Sequence, residues 1–183
     1  MKWMDRWIQK QRIKKAICNI PPDSTVLDIG CFQGELFQAM GTRLRTGFGI
    51  DPLLTGTFEK PRFTLIKGNF PKDWAIKTKM NCVTMLAVLE HIPSGELKPM
   101  MNVIFDIILP GGLVILTVPS KKADLLLSPL KQMGIIRGMS LEEHYGFDPA
   151  DTKILFEEAG FSLIKWQTFQ AGLNNLFVFK RTE

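Results

Sequence analysis

One tyrosine, two histidines and three cysteines in 183 residues remove several classes of explanation. Cys18, Cys31 and Cys82 are odd in number and widely spaced, which fits neither a disulfide framework nor a zinc site, so they read as free thiols. Any imidazole base must be His91 or His144. No apolar run reaches the ~18–20 residues of a membrane span, and Lys2 to Lys15 is too charged for a signal peptide; the expectation is a cytoplasmic protein. Glycine is missing from positions 32 and 35, where the dinucleotide fingerprint G-x-G-x-x-G would need it, and Phe32 and Glu35 stand there instead. Glu35 would compete with a pyrophosphate for the positive end of a helix dipole. A ligand without phosphates is favoured over a nicotinamide cofactor.

Acidic residues are scarce at the start of the chain. Residues 1–15 carry Lys2, Arg6, Lys10, Arg12, Lys14 and Lys15 against Asp5 alone, so the net charge of +5 belongs to this segment and the remainder is neutral overall. Trp3, Met4, Trp7, Ile8, Ile13, Ile17 and Ile20 recur at three- and four-residue spacings, which predicts an amphipathic helix over residues 1–20. Two uses fit it: packing on the domain with a solvated basic face, or peripheral contact of residues 1–15 with an anionic membrane or an acidic partner. Residues 21–183, with 45% hydrophobic content across the chain, suit a single α/β domain.

That domain is organised around Thr25-Val-Leu-Asp28-Ile-Gly30-Cys31-Phe32-Gln-Gly34-Glu35. Val26, Leu27 and Ile29 read as a strand covered on both faces. Gly30 and Gly34 bracket a turn that lets backbone approach a ligand, and Leu36, Phe37 and Met40 begin a helix. Asp51 lies 21 residues past Gly30 and ends a second strand-like run, where a carboxylate can accept hydrogen bonds from ribose hydroxyls. Further strands are expected at 62–66, 81–86 and 113–118, with a turn at Pro110-Gly111-Gly112. Ser94 is read as the cap of a helix to about Ile108, and Asp148-Pro149 as the start of a helix to Gly160. Phe161–Phe169 and Asn174–Lys180 read as a terminal antiparallel pair. Residues 119–147 break this rhythm and form the only large insertion.

The stretch at 25–35 resembles the first motif of the class I S-adenosylmethionine-dependent methyltransferases. Gly49-Ile-Asp51-Pro, Gly68-Asn69-Phe70-Pro71, Leu86-Ala87-Val-Leu-Glu90-His91-Ile, Leu109-Pro-Gly-Gly112-Leu and Leu155-Phe-Glu-Glu-Ala-Gly160-Phe161 follow in the same order. The resemblance implies a Rossmann-like, doubly wound sheet of seven strands, mostly parallel with an antiparallel last strand and helices on both faces. It implies S-adenosyl-L-methionine as cofactor. Asp28, Gly30 and the turn residues Cys31, Phe32 and Gly34 would lie at the amino-acid end, Asp51 at the ribose, Asn69 and Phe70 at the adenine, and Leu86 and Ala87 beneath the methyl group. Phe32 departs from the glycine of the first motif, and Asn69 stands where Asp is more usual.

Methyl transfer from a sulfonium needs positioning and water exclusion more than covalent help. The expectation is a small-molecule acceptor, apolar or amphiphilic, under the 119–147 insertion, with His91 and His144 as candidate catalytic groups. No nucleic-acid partner is expected, because the basic residues are confined to one helix and no reading module is appended. No metal site is expected either. Glu90, His91 and His144 make an incomplete ligand set, since Ala87 stands where the Glu-x-x-Glu-His motif of small-RNA methyltransferases has its first Glu. A methyltransferase-like binding subunit without turnover is the alternative, motivated by Phe32. Asp28 has a plainer alternative of its own, as a carboxylate that ties down turn amides.

Overall fold

The computed structural model describes residues 3–120 and 149–182. Its elements are α1 (Trp3–Ile17), β1 (Ser24–Ile29), α2 (Glu35–Met40), β2 (Leu44–Asp51), β3 (Phe58–Glu59), β4 (Phe63–Lys67), β5 (Met80–Leu86), α3 (Ser94–Ile107), β6 (Ile108–Pro119), α4 (Asp151–Glu158), β7 (Phe161–Phe169) and β8 (Asn174–Arg181). Residues 121–147 of the insertion, His144 among them, and the Asp148 cap fall outside the described residues.

The strands form one sheet in the order β3-β4-β2-β1-β5-β6-β8-β7. Seven of them are the expected set, and β8 runs antiparallel beside β6 as the resemblance implies. The eighth, β3, is a two-residue strand paired antiparallel to β4. Chain order reverses between β1 and β5, so the carboxyl ends of these two strands flank a crevice of the kind where open α/β sheets bind ligands.

Burial on both faces explains the apolar runs. Ile13 and Ala16 of α1, the following Ile20, and Leu36, Phe37 and Met40 of α2 pack with Val26, Cys82, Ile115 and Val178 on one side. Met100, Met101 and Ile104 of α3 and Phe156 of α4 pack with Leu27, Val83, Val114 and Phe179 on the other. The α1 stripe is therefore used inside the domain, while Trp7 is 51% exposed and takes no part in it. Arg12 fastens the same helix at the carboxyl edge of the sheet: its Nε and Nη2 donate to Asn174 Oδ1 at 3.1 and 3.0 Å, and Gln170 Nε2 donates to the Ile8 carbonyl.

Three local expectations are corrected. Ser94 is the first residue of α3 rather than its cap; the extended Pro93 precedes it, and the Pro93 carbonyl accepts the Glu96 N–H at 2.8 Å. Helix α4 starts at Asp151, because Pro149 carries a turn whose carbonyl accepts the Thr152 N–H. Pro110-Gly111-Gly112 is no turn before a strand but a bulge within β6: Met80 pairs with Ile108 and Cys82 already pairs with Leu113.

Gly49 fixes the distance between β2 and the turn after β1. A Cβ there would lie 2.6 Å from Cys31 Sγ, 2.7 Å from Cys31 Cβ and 2.9 Å from Leu65 Cδ2, with Cys31 and Leu65 both buried. Gly49→Ala is expected to lower stability by ~1–3 kcal/mol through overpacking, read as a reduced urea midpoint at unchanged slope.

Candidate functional site

The site is built at the carboxyl ends of β1, β2, β4 and β5. β1 and β2 run in register, Ile29 opposite Ile50, and the Gly30 N–H donates to the Ile50 carbonyl at 2.9 Å. The chain then turns sharply. Phe32 sits in the left-handed region with φ 46°, a conformation that costs a side-chain-bearing residue about 1–2 kcal/mol, and Gly34 follows at φ 77° as the residue before α2. The strain is held by Asp51, whose Oδ2 accepts the Phe32 N–H and whose Oδ1 accepts the Leu53 N–H, both at 2.8 Å. Asp51 is thus the carboxylate that ties down turn amides, the role weighed for Asp28. One lone pair on each oxygen remains available.

Asp28 has a different environment. It is buried on β1, opposite Thr84 of β5, and the Thr84 hydroxyl lies 2.6 Å from Asp28 Oδ1 and 3.3 Å from the Leu27 carbonyl. A hydroxyl has one proton to give. With Asp28 ionised it goes to the carboxylate; with Asp28 protonated, the acid donates to Thr84 and the hydroxyl turns to Leu27. Burial pushes the Asp28 carboxyl up to about 7; the Thr84 hydrogen bond opposes this, and the nearby Glu35 and Asp51 charges add to it. Three carboxyl groups thus lie around the turn after β1 and feel one another's charge. Glu35 also accepts the Gln33 N–H at 3.2 Å, closing the loop from its far side.

A cavity of about 510 Å³ opens beside this cluster, lined among others by Ile29, Ile50, Asn69, Phe70, Val88 and His91, within the ~300–1,000 Å³ usual for small-molecule sites. Asp51 lies between Ile50 and Pro52, both of which line it. The structure thus brings Asn69, Phe70 and His91 together at one cavity. Phe32 faces elsewhere: its side chain, 38% exposed, lines a separate groove against α1. Leu86 packs toward the α1 and α2 cluster, and Ala87 takes a left-handed conformation at φ 60°, its N–H bonded to the Thr117 carbonyl; neither lines the 510 Å³ cavity.

Cys31 is buried beneath the turn, and burial with the neighbouring Asp28 and Asp51 charges pushes its thiol above the ordinary range. It has the character of packing and not of a nucleophile. A side chain at Gly30 would collide with Cγ2 of Val88, so this glycine makes room for a protein neighbour. His91 is exposed. Among the described residues no three metal-ligating side chains converge, and no helix is long and apolar enough to cross a membrane. Sequence reasoning misses Thr84 and Val88. Thr84 carries no local signal, since only the β1–β5 register reveals it, whereas Val88 lies inside a quoted motif.

The comparisons agree with this architecture. A chain from the complex between the Haloferax volcanii Trm112 methyltransferase activator and a methyltransferase superposes with a TM-score of 0.76 at 14% identity, covering 98% of this chain and 94% of that one. Magnesium protoporphyrin IX methyltransferase from Synechocystis, solved with S-adenosylhomocysteine, gives 0.70 at 17% identity over 100% and 89%. Burkholderia thailandensis 1,6-didemethyltoxoflavin N1-methyltransferase, solved with 1,6-didemethyltoxoflavin and S-adenosylhomocysteine, gives 0.71 at 14% over 98% and 82%. No curated protein matches the chain by sequence. Residues 4–165 match the methyltransferase-domain family, and the chain belongs to that family.

Proposed function

We propose that the protein is an S-adenosylmethionine-dependent methyltransferase acting on a small-molecule acceptor. The observation that carries this reading is the cavity at the carboxyl ends of the central strands, lined by Ile29, Ile50, Asn69, Phe70 and His91, with Asp28 and Asp51 next in the chain to Ile29 and Ile50. The donor set suits the cofactor chemically, because S-adenosylmethionine brings an ammonium and a sulfonium to a negative crevice and an adenosine to an apolar one. Asp51 keeps acceptor capacity for ribose hydroxyls. Ile29, Ile50 and Phe70 offer apolar walls to adenine, and Asn69 offers hydrogen bonds at its edge. When bound, the cofactor supplies an electrophilic methyl group already attached to a good leaving group.

The chain's own residues then position and screen. Asp28, when ionised, holds negative charge near the amino-acid end and accepts the Thr84 hydroxyl hydrogen bond. Val88 closes the space above Gly30, which keeps water from the turn backbone. His91 lines the cavity, and it and His144 are the proposed bases for an acceptor. The similar folds of methyltransferases for magnesium protoporphyrin IX and 1,6-didemethyltoxoflavin support a small-molecule acceptor. Phe32 lies in the other groove and so leaves this cavity open.

Two measurements test the reading. Titration calorimetry is expected to give micromolar binding of S-adenosylhomocysteine and none of NAD, and Asp51→Ala, shown folded by circular dichroism, is expected to weaken the former by ~1–3 kcal/mol. Absence of S-adenosylhomocysteine binding to the folded wild type would end the proposal. Repeating the titration across pH examines Asp28. A bound ammonium favours the carboxylate and lowers its pKa, so binding releases a proton. Affinity should therefore rise as pH approaches about 7, the value of Asp28, and level off above it. Asp28→Asn should remove the rise.

A further inference from the structure

Helix α1 has two sides, and the fold uses only one. Ile13 and Ala16 are buried in the core and Arg12 is bound to Asn174. The other side carries Trp7, Lys10 and Lys14 at i, i+3 and i+7, with Arg6 beside them, all exposed. Arg6 and Lys14 are ~12 Å apart along the helix. Arg6, Lys10 and Lys14 line a groove of about 930 Å³ that α1 forms with the first-motif turn and α2, and Ile13, Ile17 and Phe32 supply its apolar lining. The lining holds one carboxylate, Glu35, against three cations. Among the described residues none of the three enters an ion pair.

The rim continues beyond the helix. Phe32 is 38% exposed and Leu53 is 79% exposed. Their backbones are pinned side by side, because both N–H groups are held by the one Asp51 carboxylate. Phe32 is thus presented to solvent across the groove from the basic residues of α1, and Leu53 is exposed on the neighbouring turn. Apolar anchors beside cations suit the interface of an anionic bilayer, where the rings enter the headgroup layer and the cations meet phosphates.

We infer that this face, comprising Arg6, Trp7, Lys10 and Lys14 of α1 with Phe32 and Leu53, docks the protein on an anionic phospholipid surface. The charge complementarity selects the occupant, and the exposed apolar pair selects a bilayer over a soluble polyanion, which has no use for Leu53. The turn that carries Phe32 follows directly on Ile29, which lines the 510 Å³ cavity, so the docking face and the site share one segment of chain. The inference concerns where the protein sits and is independent of the cofactor reading, since vesicle binding requires neither cofactor nor turnover.

The test is flotation of the full chain with phosphatidylcholine vesicles, with and without about 30% phosphatidylglycerol, at about 0.1 M and about 0.5 M salt. Binding only to the anionic vesicles, weakened at high salt, is expected. The Lys10→Gln/Lys14→Gln double variant should lose at least ~tenfold in partitioning, and Trp7→Ala and Leu53→Ser should each reduce it severalfold. All four positions are exposed, and circular dichroism checks that the variants keep their fold. No binding to anionic vesicles at low salt overturns the inference, as does binding that none of these variants weakens. Retention on heparin or polyglutamate equal to that on vesicles, unaffected by Trp7→Ala and Leu53→Ser, overturns it in favour of a soluble acidic partner or plain charge attraction.

Discussion

The bridge that Asp51 makes between the Phe32 and Leu53 amides sets the geometry of the whole crevice. One carboxylate at the end of β2 reaches across to the turn after β1 and also closes its own following turn. Those two charge-assisted hydrogen bonds, each of the stronger class, act with the Gly34 N–H donated to the Cys31 carbonyl at 2.8 Å to keep Phe32 at a positive φ. The turn's shape in turn decides which way its side chains go: Cys31 inward beneath Gly49, Phe32 outward, and Gly34 onward into α2. A glycine at position 32 would adopt the same backbone with less strain. The chain instead keeps an aromatic ring there, at an energetic cost, and displays it on the face shared with α1.

Asp28 exerts the second constraint. Placing a carboxyl on the fully buried β1 is unfavourable when it is charged, and with Glu35 and Asp51 close by the fold tolerates it by letting it hold its proton near neutral pH. Thr84 makes both protonation states hydrogen-bonded, so the change of state strands no polar group. Such a pair is ill suited to rigid structural duty, which a neutral side chain would perform at lower cost. It suits a place where a cation arrives and leaves. The buried Asp28 with the neighbouring Glu35 and Asp51 charges, and the exposed cations of α1, therefore divide the chain's electrostatics into two regions, one inside the fold and the other facing outward.

Most of the scaffold is legible in the sequence because it follows from local patterns. Buried parallel strands announce themselves as short apolar runs, and the runs at 26–29, 81–86 and 113–118 all lie within strands of the sheet. The differences share a cause: each needs a partner distant in sequence or a neighbour that competes for the same position. Ser94 reads as a cap until Pro93 is seen to occupy that position, and the Pro110-Gly111-Gly112 run reads as a turn until β5 is laid beside β6. Asp28 and Asp51 both stand out as site carboxylates, but the tying of turn amides falls to Asp51. The register that puts Thr84 opposite Asp28 leaves no trace in the spacing of residues. Leu86 and Ala87 match a floor position by motif, yet they line no part of the cavity that holds Asn69, Phe70 and His91.

Helix α1 shows how packing can separate two readings that periodicity leaves together. Its apolar spacing is compatible with burial or with a lipid interface, and both would use the same stripe if the helix were free. In the fold the second half of the stripe is consumed, since Ile13, Ile17 and Ile20 pack in the core, and Arg12, desolvated by burial and drawn back by the charge of Glu90, is anchored to Asn174 at the sheet edge. A guanidinium taken out of water is costly unless its hydrogen bonds are met, so the contact fixes the rotation of the helix as well as its position. That rotation is what directs Trp7, Lys10 and Lys14 to solvent. A surface of this kind, rigidly oriented and facing the strained aromatic turn across a groove, follows from the packing on the other side of the helix, and among the described residues no carboxylate forms an ion pair with its cations.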